Sequence, residues 1–251
     1  MYPDLKTYRA EFHVHTVLSP CAGIEMIPPL IVQAAIEKEI SIIGITDHNH
    51  SANAKAVIKA ALNLPLHVLP GMEVQTAEEV HCLCLFDTLE QVHLLQNLVD
   101  EHLPEVPNNV EFFGEQFIVD ETGDFLTNED RLLINSASIS IDDVCQFVNE
   151  LGGLFIPAHV NREAFGLLSH LGFVPPTMDV PALEISRHIS VADAYKKFPQ
   201  ISKYKLIQSG DVHFLDDFLG INQLLIEKPS IEEIKLALSG SNSRKLSILN
   251  T

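Results

Sequence analysis

The sequence predicts an α/β domain in which seven or so strands, mainly parallel, close into a barrel. Three observations carry that prediction. Strand-like and helix-like segments alternate along nearly the whole chain. Several strand-like segments, residues 41–46 for example, are continuous apolar runs, as expected of a parallel strand covered on both faces. Seven of the strand-like segments break off beside a histidine or carboxylate, and a barrel builds its site from successive strand ends.

The elements follow in order. Residues 8–15 read as the first strand, ending in His13-Val14-His15. Residues 28–39 open with proline in the first turn and carry Ile31, Ala34, Ala35 and Lys38 at helical spacing. The second strand, 41–46, runs into Asp47-His48. Residues 51–63 form an Ala-rich helix with Ser51 or Asn53 as cap. Residues 66–72 and 81–86 are the third and fourth strands, with Glu73 closing one and His81 opening the other. Residues 88–103 form a long helix capped by Thr88. Residues 104–139 interrupt the alternation: the segment 116–119 followed by a Gly-containing turn predicts a hairpin-like excursion, read as a lid, an oligomer contact or a plain surface insertion. The alternation resumes with a helix at 140–151, capped by Ser140 and stopped at Gly152-Gly153. Strand five (154–158) ends at His159. A helical stretch at 164–171, strand six (183–186), a short helix (191–197) and strand seven (205–209) follow, the last running into Asp211-Val212-His213. Residues 222–227 are an eighth strand or an extension, and 230–238 a closing helix with a Ser230–Glu233 capping box. One domain spanning 1–251 accounts for this pattern, with 104–139 inserted in it.

Charge and cysteines narrow the function classes. Lys and Arg number 16 against 34 Asp and Glu, a formal charge of −18. That balance disfavours long nucleic acids, whose sequence-independent binding rests on cations neutralising phosphates, and disfavours membrane surfaces. A small anion held by metals remains compatible with it. Cys21, Cys82, Cys84 and Cys145 make no disulfide framework for a chain of this length. The N-terminus lacks the apolar core of a signal peptide, and no apolar run approaches a membrane span, so a cytoplasmic protein is expected. The oligomeric state is not legible.

His13 and His15 lie two apart on a strand, so both side chains leave one face, and Phe12 and Val14 are expected against the helices. With them, His48, Glu73, His81, His159, Asp211 and His213 make eight candidate ligands. Imidazoles mixed with carboxylates suit Zn, Mn or Fe over Ca or Mg. One transition metal takes about four to six ligands, so eight imply two or three ions. Glu73, on a central strand, is the natural bridge, each oxygen reaching one ion. Asp47 reads as an orienter of a histidine, and Cys82 and Cys84 as core residues on the helix side. Arg162, three residues past His159, is the first candidate phosphate clamp. Arg187 and His188 come second, strand alternation leaving at most one of them in the pocket.

In this order, His13-Val14-His15-Thr16, Thr46-Asp47-His48-Asn49, Gly71-Met72-Glu73 with His81 eight residues on, Pro157-Ala158-His159 and Asp211-Val212-His213 resemble the motifs of the PHP (polymerase and histidinol phosphatase) family. The resemblance spans about residues 8–220. It implies a distorted, TIM-like (β/α)7 barrel with a di- or trinuclear site at the strand C-termini, and phosphoester hydrolysis. On that analogy His13, His15, Glu73 and Asp211 would hold one ion, Glu73, His81 and His159 a second, and His48 with His213 a third. Where many members carry Asp or His to complete the third site, this chain has Pro20 and Cys21. Cys21 reads equally as a thiolate ligand or as a plain thiol beside a weak or empty site. The polymerase fused to some PHP modules is not seen, so a built-in proofreading role is not expected.

The expected function is hydrolysis of a small phosphate ester or nucleotide by a hydroxide generated on the metals. Glu73, Arg162 and His188 are the catalytic candidates, and Arg162, His188 and Asn49 the substrate-binding ones. The leaving alkoxide would take its proton from a metal-bound water or from His188. Monoesters are preferred, because nothing in the sequence suggests a groove for a polymer. The alternatives are a phosphodiesterase or exonuclease on short oligonucleotides, and a non-catalytic metal-stabilised module binding a phosphorylated ligand. An amide or lactone hydrolase would often carry a strand-end lysine, which has no counterpart here.

Overall fold

The fold was obtained as a computed structural model, and it describes residues 4–249. Strand β1 (Lys6–Val14) leads through α1 (Pro28–Glu37) to β2 (Ile42–Ile45), and through α2 (Ala54–Ala60) to β3 (His67–Gln75). These three strands are parallel, in the order β1-β2-β3. Between β3 and β4 (His81–Leu85) only residues 76–80 intervene, too few for a crossover, so β4 returns antiparallel with Gln75 opposite His81. After α3 (Leu89–His102), α4 (Val110–Phe113), β5 (Phe117–Val119), β6 (Phe125–Asn128) and α5 (Ile141–Glu150), strand β7 (Leu154–Pro157) joins β4, again antiparallel. Beyond α6 (Leu167–His170), β8 (Leu183–Ile185) and β9 (Leu206–Gln208), separated by α7 (Val191–Lys197), form a parallel pair.

The ends of this curled wall meet at the bridge between Val14 and Val212, where His15 N–H donates to Val212 O at 2.9 Å and Val212 N–H to His13 O at 2.9 Å. Strand β10 (Asn222–Ile226) is the expected eighth strand, but it runs antiparallel to the lower half of β1. Helix α8 (Ile231–Ser239) and β11 (Lys245–Ile248) complete the chain. The α/β fold with a distorted, TIM-like sheet is as the sequence predicts. The sheet is more mixed than expected: β4 runs antiparallel to β3 and β7, and β10 antiparallel to β1 and β11.

Two layers pack against the outside of the sheet. Met72, Val74, Cys82, Cys84 and Phe155 face Val92, Leu95 and Val99 of α3 and Val144 and Val148 of α5. Ile43, Ile45 and Val68 face Ile31 and Ala35 of α1 and Val57 of α2. Cys82 and Cys84 are thus core residues on the helix side, as expected. Inside the sheet a third cluster gathers Ala10, Phe12, Leu69, Leu83, Leu154 and Ile156 around Ile231, Ile234 and Leu238 of α8, which plugs the lower end. Phe12 belongs to this interior cluster and not to the helix layer. The cause is an irregularity in the β1–β2 register between Glu11 and Val14. An extra residue there shifts the side-chain alternation, so that Phe12 points inward below the two histidines while Val14 packs outward.

Local capping follows the sequence at Thr88, whose hydroxyl accepts from Gln91 N–H at 3.3 Å, and at Ser140, which accepts from Asp143 N–H at 3.1 Å. Asn53 stands at the N-cap of α2, yet its carboxamide serves the insertion instead, donating to Phe117 O at 2.9 Å and accepting from Val119 N–H at 3.0 Å. Glu233 does not close the Ser230 capping box, because its carboxylate is taken by Arg244 at 2.7 and 3.0 Å. The hairpin-like excursion at 104–139 is present as the antiparallel pair β5–β6. Asp120 shapes its turn by accepting from Thr122 N–H at 2.9 Å and Asp124 N–H at 3.0 Å.

Candidate metal centre

All eight predicted ligands converge at the upper rim. Strand β1 supplies His13 and His15, fully buried, and the β2 end supplies His48. Glu73 comes from β3. Because β4 runs downward, His81 at its start shares the rim with Glu73 at the end of β3. His159 follows β7 at φ +28°, and Asp211 lies beyond β9 at φ +51°. Non-glycine residues are costly in that region of backbone space, and here two of them aim ligands into one centre.

Glu73 lies at the middle. Its Oε1 is 2.9 Å from His81 Nδ1, 3.2 Å from His13 Nε2 and 3.4 Å from His159 Nε2. Its Oε2 is 3.0 Å from His48 Nδ1 and 3.4 Å from His15 Nε2. Asp211 Oδ1 approaches His13 Nε2 at 3.2 Å and His15 Nε2 at 3.5 Å. Three groups of ligand atoms lie close enough to hold a cation: His13, His15 and Glu73; His48, Glu73 and His81; and His15, His48 and His213.

Hydrogen bonds behind the ligands fix which nitrogen faces inward. His13 Nδ1 lies 3.1 Å from Glu184 Oε1, so it donates there and leaves the Nε2 lone pair inside. Ser19 gives its hydroxyl proton to Asp47 at 2.8 Å and therefore accepts from His15 Nδ1 at 2.9 Å. His15 Nε2 then also faces inward. The Asp47 carboxylate accepts as well from Thr16 N–H at 2.7 Å, so it orients His15 through Ser19. His81 Nε2 donates to Gln75 Oε1 at 3.2 Å, leaving Nδ1 for the centre, and His213 Nδ1 donates to the Asp211 carbonyl at 2.9 Å, leaving Nε2.

This wiring suits cations. His13 Nε2 and His15 Nε2 face each other at 3.0 Å, an arrangement of two lone pairs that requires a positive charge between them. Glu73 Oε2, His48 Nδ1 and His159 Nδ1 are buried without a hydrogen-bond partner. His48 Nδ1 and Glu73 Oε2 are close but misaligned for a bond to one another, as donors converging on a shared point would be. The protonation pattern says the same. Burial alone would depress His13, but Glu73, Glu184 and Asp211 hold it well above the ordinary imidazole value. Burial, followed by the His213 and His48 charges, pushes His15 well below, and burial brings His81 down to about 4. Burial would raise Glu73, yet His81, His13 and His48 hold it well below the usual carboxylate range. The cluster demands a positive charge that its own imidazoles supply only by protonation.

The remaining expectations sort as follows. Arg162, 42% exposed, sits at the mouth with Nη1 2.6 Å from Asp211 Oδ2, so its ion pair is with a candidate ligand carboxylate. With Ser186, Arg187, His188, Gly210 and Asp211 it lines a shallow cavity beside the centre. Arg187 is tied to Asp217 at 2.6 Å, and His188 is exposed. Asn49 is not placed for substrate: it is fully buried, with Nδ2 donating to Leu133 O at 2.7 Å and Asn135 O at 2.8 Å and Oδ1 accepting from Gln75 N–H at 3.0 Å. Cys21 Sγ lies 3.0 Å from His213 Nε2. Burial would raise its thiol, but His48 and His213 outweigh that and bring it down to about 6.

Two buried carboxylates were not anticipated. Glu184 bonds His13 and also accepts from His159 N–H at 3.0 Å, tying two ligand strands together. Its one trace in the sequence is an acid enclosed by Leu183 and Ile185. Glu11 accepts from Gly210 N–H at 2.9 Å, Leu219 N–H at 2.9 Å and Gly220 N–H at 3.0 Å, fixing the loop that carries Asp211 and His213. Burial pushes its carboxyl up to about 7.

Among solved structures, the lesion-specific endonuclease EndoQ of Pyrococcus furiosus is similar at 20% identity and a TM-score of 0.73, covering 96% of this chain and 58% of its own. An endonuclease Q in complex with a 27-mer duplex bearing an abasic lesion at the active site gives 18% and 0.70, with 96% and 58% covered. A candidate metal-dependent phosphoesterase of Bifidobacterium adolescentis gives 16% and 0.56, with 90% and 91% covered. At these identities the likeness establishes the fold. The chain spans about three fifths of the length of the two endonuclease structures. No curated protein matches its sequence. The PHP domain pattern matches residues 11–159, more than half of the sequence, and the chain belongs to the PHP domain family.

Proposed function

We propose that the chain is a metal-dependent phosphoric ester hydrolase acting on a small phosphate ester or nucleotide. The observation that carries this reading is Glu73, whose buried carboxylate lies at the middle of the cluster, Oε1 within 3.4 Å of His81, His13 and His159 and Oε2 within 3.4 Å of His48 and His15, where a carboxylate shared by two cations would sit. His13, His15, Glu73 and Asp211 would hold one divalent transition ion (Zn, Mn or Fe); Glu73, His81 and His159 would hold a second. Cations bound there supply Lewis acidity, lowering the pKa of water toward about 7 and offsetting charge on the phosphoryl oxygens. The chain's own residues do the rest. Glu184 and Ser19 keep His13 and His15 in the tautomers that face the centre. Arg162, whose guanidinium has further donors beyond the one on Asp211, clamps the phosphoryl group from the mouth. His188, on the wall of the same cavity, donates the proton to the leaving alkoxide.

A second reading, cleavage of phosphodiesters in nucleic acid, is favoured by the likeness to endonuclease Q over 96% of this chain. The formal charge of −18 weighs against it. Metal-loaded protein assayed on a phosphomonoester, a phosphodiester reporter and an abasic-site duplex separates the two, with the monoester expected to turn over fastest. Cleavage of the duplex alone would replace the first reading with the second, and inertness toward all three would end both. His159→Ala is expected to abolish turnover while far-ultraviolet circular dichroism stays native-like; retained turnover would show that His159 lies outside the chemistry.

A further inference from the structure

We propose that Cys21 is a sulfur ligand of the third cation position, together with His48 and His213, so that this position selects a thiophilic ion such as zinc or ferrous iron over manganese or magnesium. The inference rests on the metal cluster of the hydrolase reading and assigns the donor where this chain departs from its family's pattern.

Four observations place the sulfur there. His213 spends Nδ1 on the Asp211 carbonyl at 2.9 Å, so the Nε2 lone pair points at Cys21 Sγ, 3.0 Å away. The turn that carries the thiol is fixed to the same loop: Gly23 N–H donates to His213 O at 2.8 Å, Ala22 N–H to Ser19 O at 2.9 Å and Met26 N–H to Gly23 O at 2.9 Å. Thiol and imidazole therefore move as one unit. The ligand atoms of His15, His48 and His213 lie within 4.8 Å of one another, and His15 and His48 are buried. Lastly, of the four cysteines, Cys82, Cys84 and Cys145 are buried away from the centre in the helix-side core, while Cys21 lies at the rim with its sulfur beside His213.

Donor chemistry then sets the choice of ion. The group of His15, His48 and His213 contains no carboxylate, whereas each of the other two groups includes Glu73. Imidazole and thiolate are the donors of zinc and iron sites, and manganese and magnesium take oxygen. One rim would thus hold two positions with an oxygen bridge and one position of nitrogen and sulfur.

The test uses the full chain, stripped of metal and reloaded with Co(II) or Zn(II). Wild type is expected to show a near-ultraviolet thiolate-to-cobalt charge-transfer band. Cys21→Ser is expected to lose the band and roughly one equivalent of bound zinc. Cys21→Asp is expected to regain that equivalent without the band and to accept manganese in its place. Wild type carrying its full complement of cobalt without the band, or equal zinc content in wild type and Cys21→Ser, would overturn the proposal. Cobalt bound with the band but no ester hydrolysed would sink the hydrolase reading and leave the sulfur ligand standing. Hydrolysis by a protein that lacks the band would do the reverse.

Discussion

At the lower end of the sheet interior, Phe12, Leu69, Leu83, Leu154 and Ile156 close on Ile231, Ile234 and Leu238 of α8, all buried and apolar. At the upper end the same strands finish in six imidazoles and two carboxylates. Strand β1 contributes to both, giving Ala10 and Phe12 to the plug and His13 and His15 to the rim. Stability and chemistry are thereby divided along one strand. A rim of crowded, desolvated titratable groups and positive-φ residues is unfavourable in isolation, and the apolar plug offsets it. The division also predicts that each end can be damaged without the other.

The largest effect is expected at the rim's centre. Glu73→Gln removes the carboxylate charge that two of the three ligand groups share, and hydrolysis and metal affinity at those two positions should fall by at least about 100-fold, since loss of an outer-shell partner alone costs 10–100-fold. Inductively coupled plasma analysis beside a turnover assay reads this, and undiminished metal content would break the assignment of Glu73 as the bridge. At the other end, Ile234→Ala should lower stability by about 2–5 kcal/mol in urea unfolding while the folded fraction keeps its metal stoichiometry. A matching loss of metal affinity would show the two ends to be coupled.

Stripping the metals tests the same division from the ligand side. Chelated protein should keep its secondary structure and lose about 2.7 kcal/mol, the value for release of one ion held at 100 times its Kd. For a chain of this size that is a fall in Tm of about 5–10 °C, recovered on adding zinc. Unfolding on chelation would mean that the plug does not support the fold unaided. Glu184→Gln should have the smallest effect: its amide keeps one contact to His13 or to His159 N–H but not the charge, and metal affinity should drop about 10–100-fold with little change in the apo Tm. Isothermal titration with zinc measures the difference, and unchanged affinity would reduce Glu184 to a packing residue.

The rim was legible in the sequence because its candidate ligands are announced locally, nearly all at the point where an apolar run stops. His13, His48, His159 and His213 required only strand assignment. Placing His81 beside Glu73 needed the reversal of β4, and its signal was the brevity of residues 76–80 between the two strands. Other features depend on distant partners. Glu184 looks like one polar residue between Leu183 and Ile185, and nothing nearby in sequence reveals that His13 and His159 face it. The register shift in β1 rests on its pairing with β2, so Phe12 was assigned to the wrong side. Asn49 follows a ligand directly, which suggested a substrate contact, whereas its backbone turn at φ +48° directs the amide into the insertion. Strand β11, with Leu246 buried against β10 and α8, lies past the closing helix, where the βα alternation had already ended.

The insertion at 104–139 is fastened to the strand ends beneath it. Asn49 and Asn53, buried beneath it, hold its main chain at Leu133, Asn135, Phe117 and Val119, and Phe117 N–H donates to Val17 O at 3.0 Å. Swinging this segment outward would break all of those bonds and strand two carboxamides in the interior, so it behaves as masonry and not as a door. A molecule approaching through the cavity lined by Arg162, Ser186, His188 and Asp211 would meet the guanidinium before it meets the imidazoles.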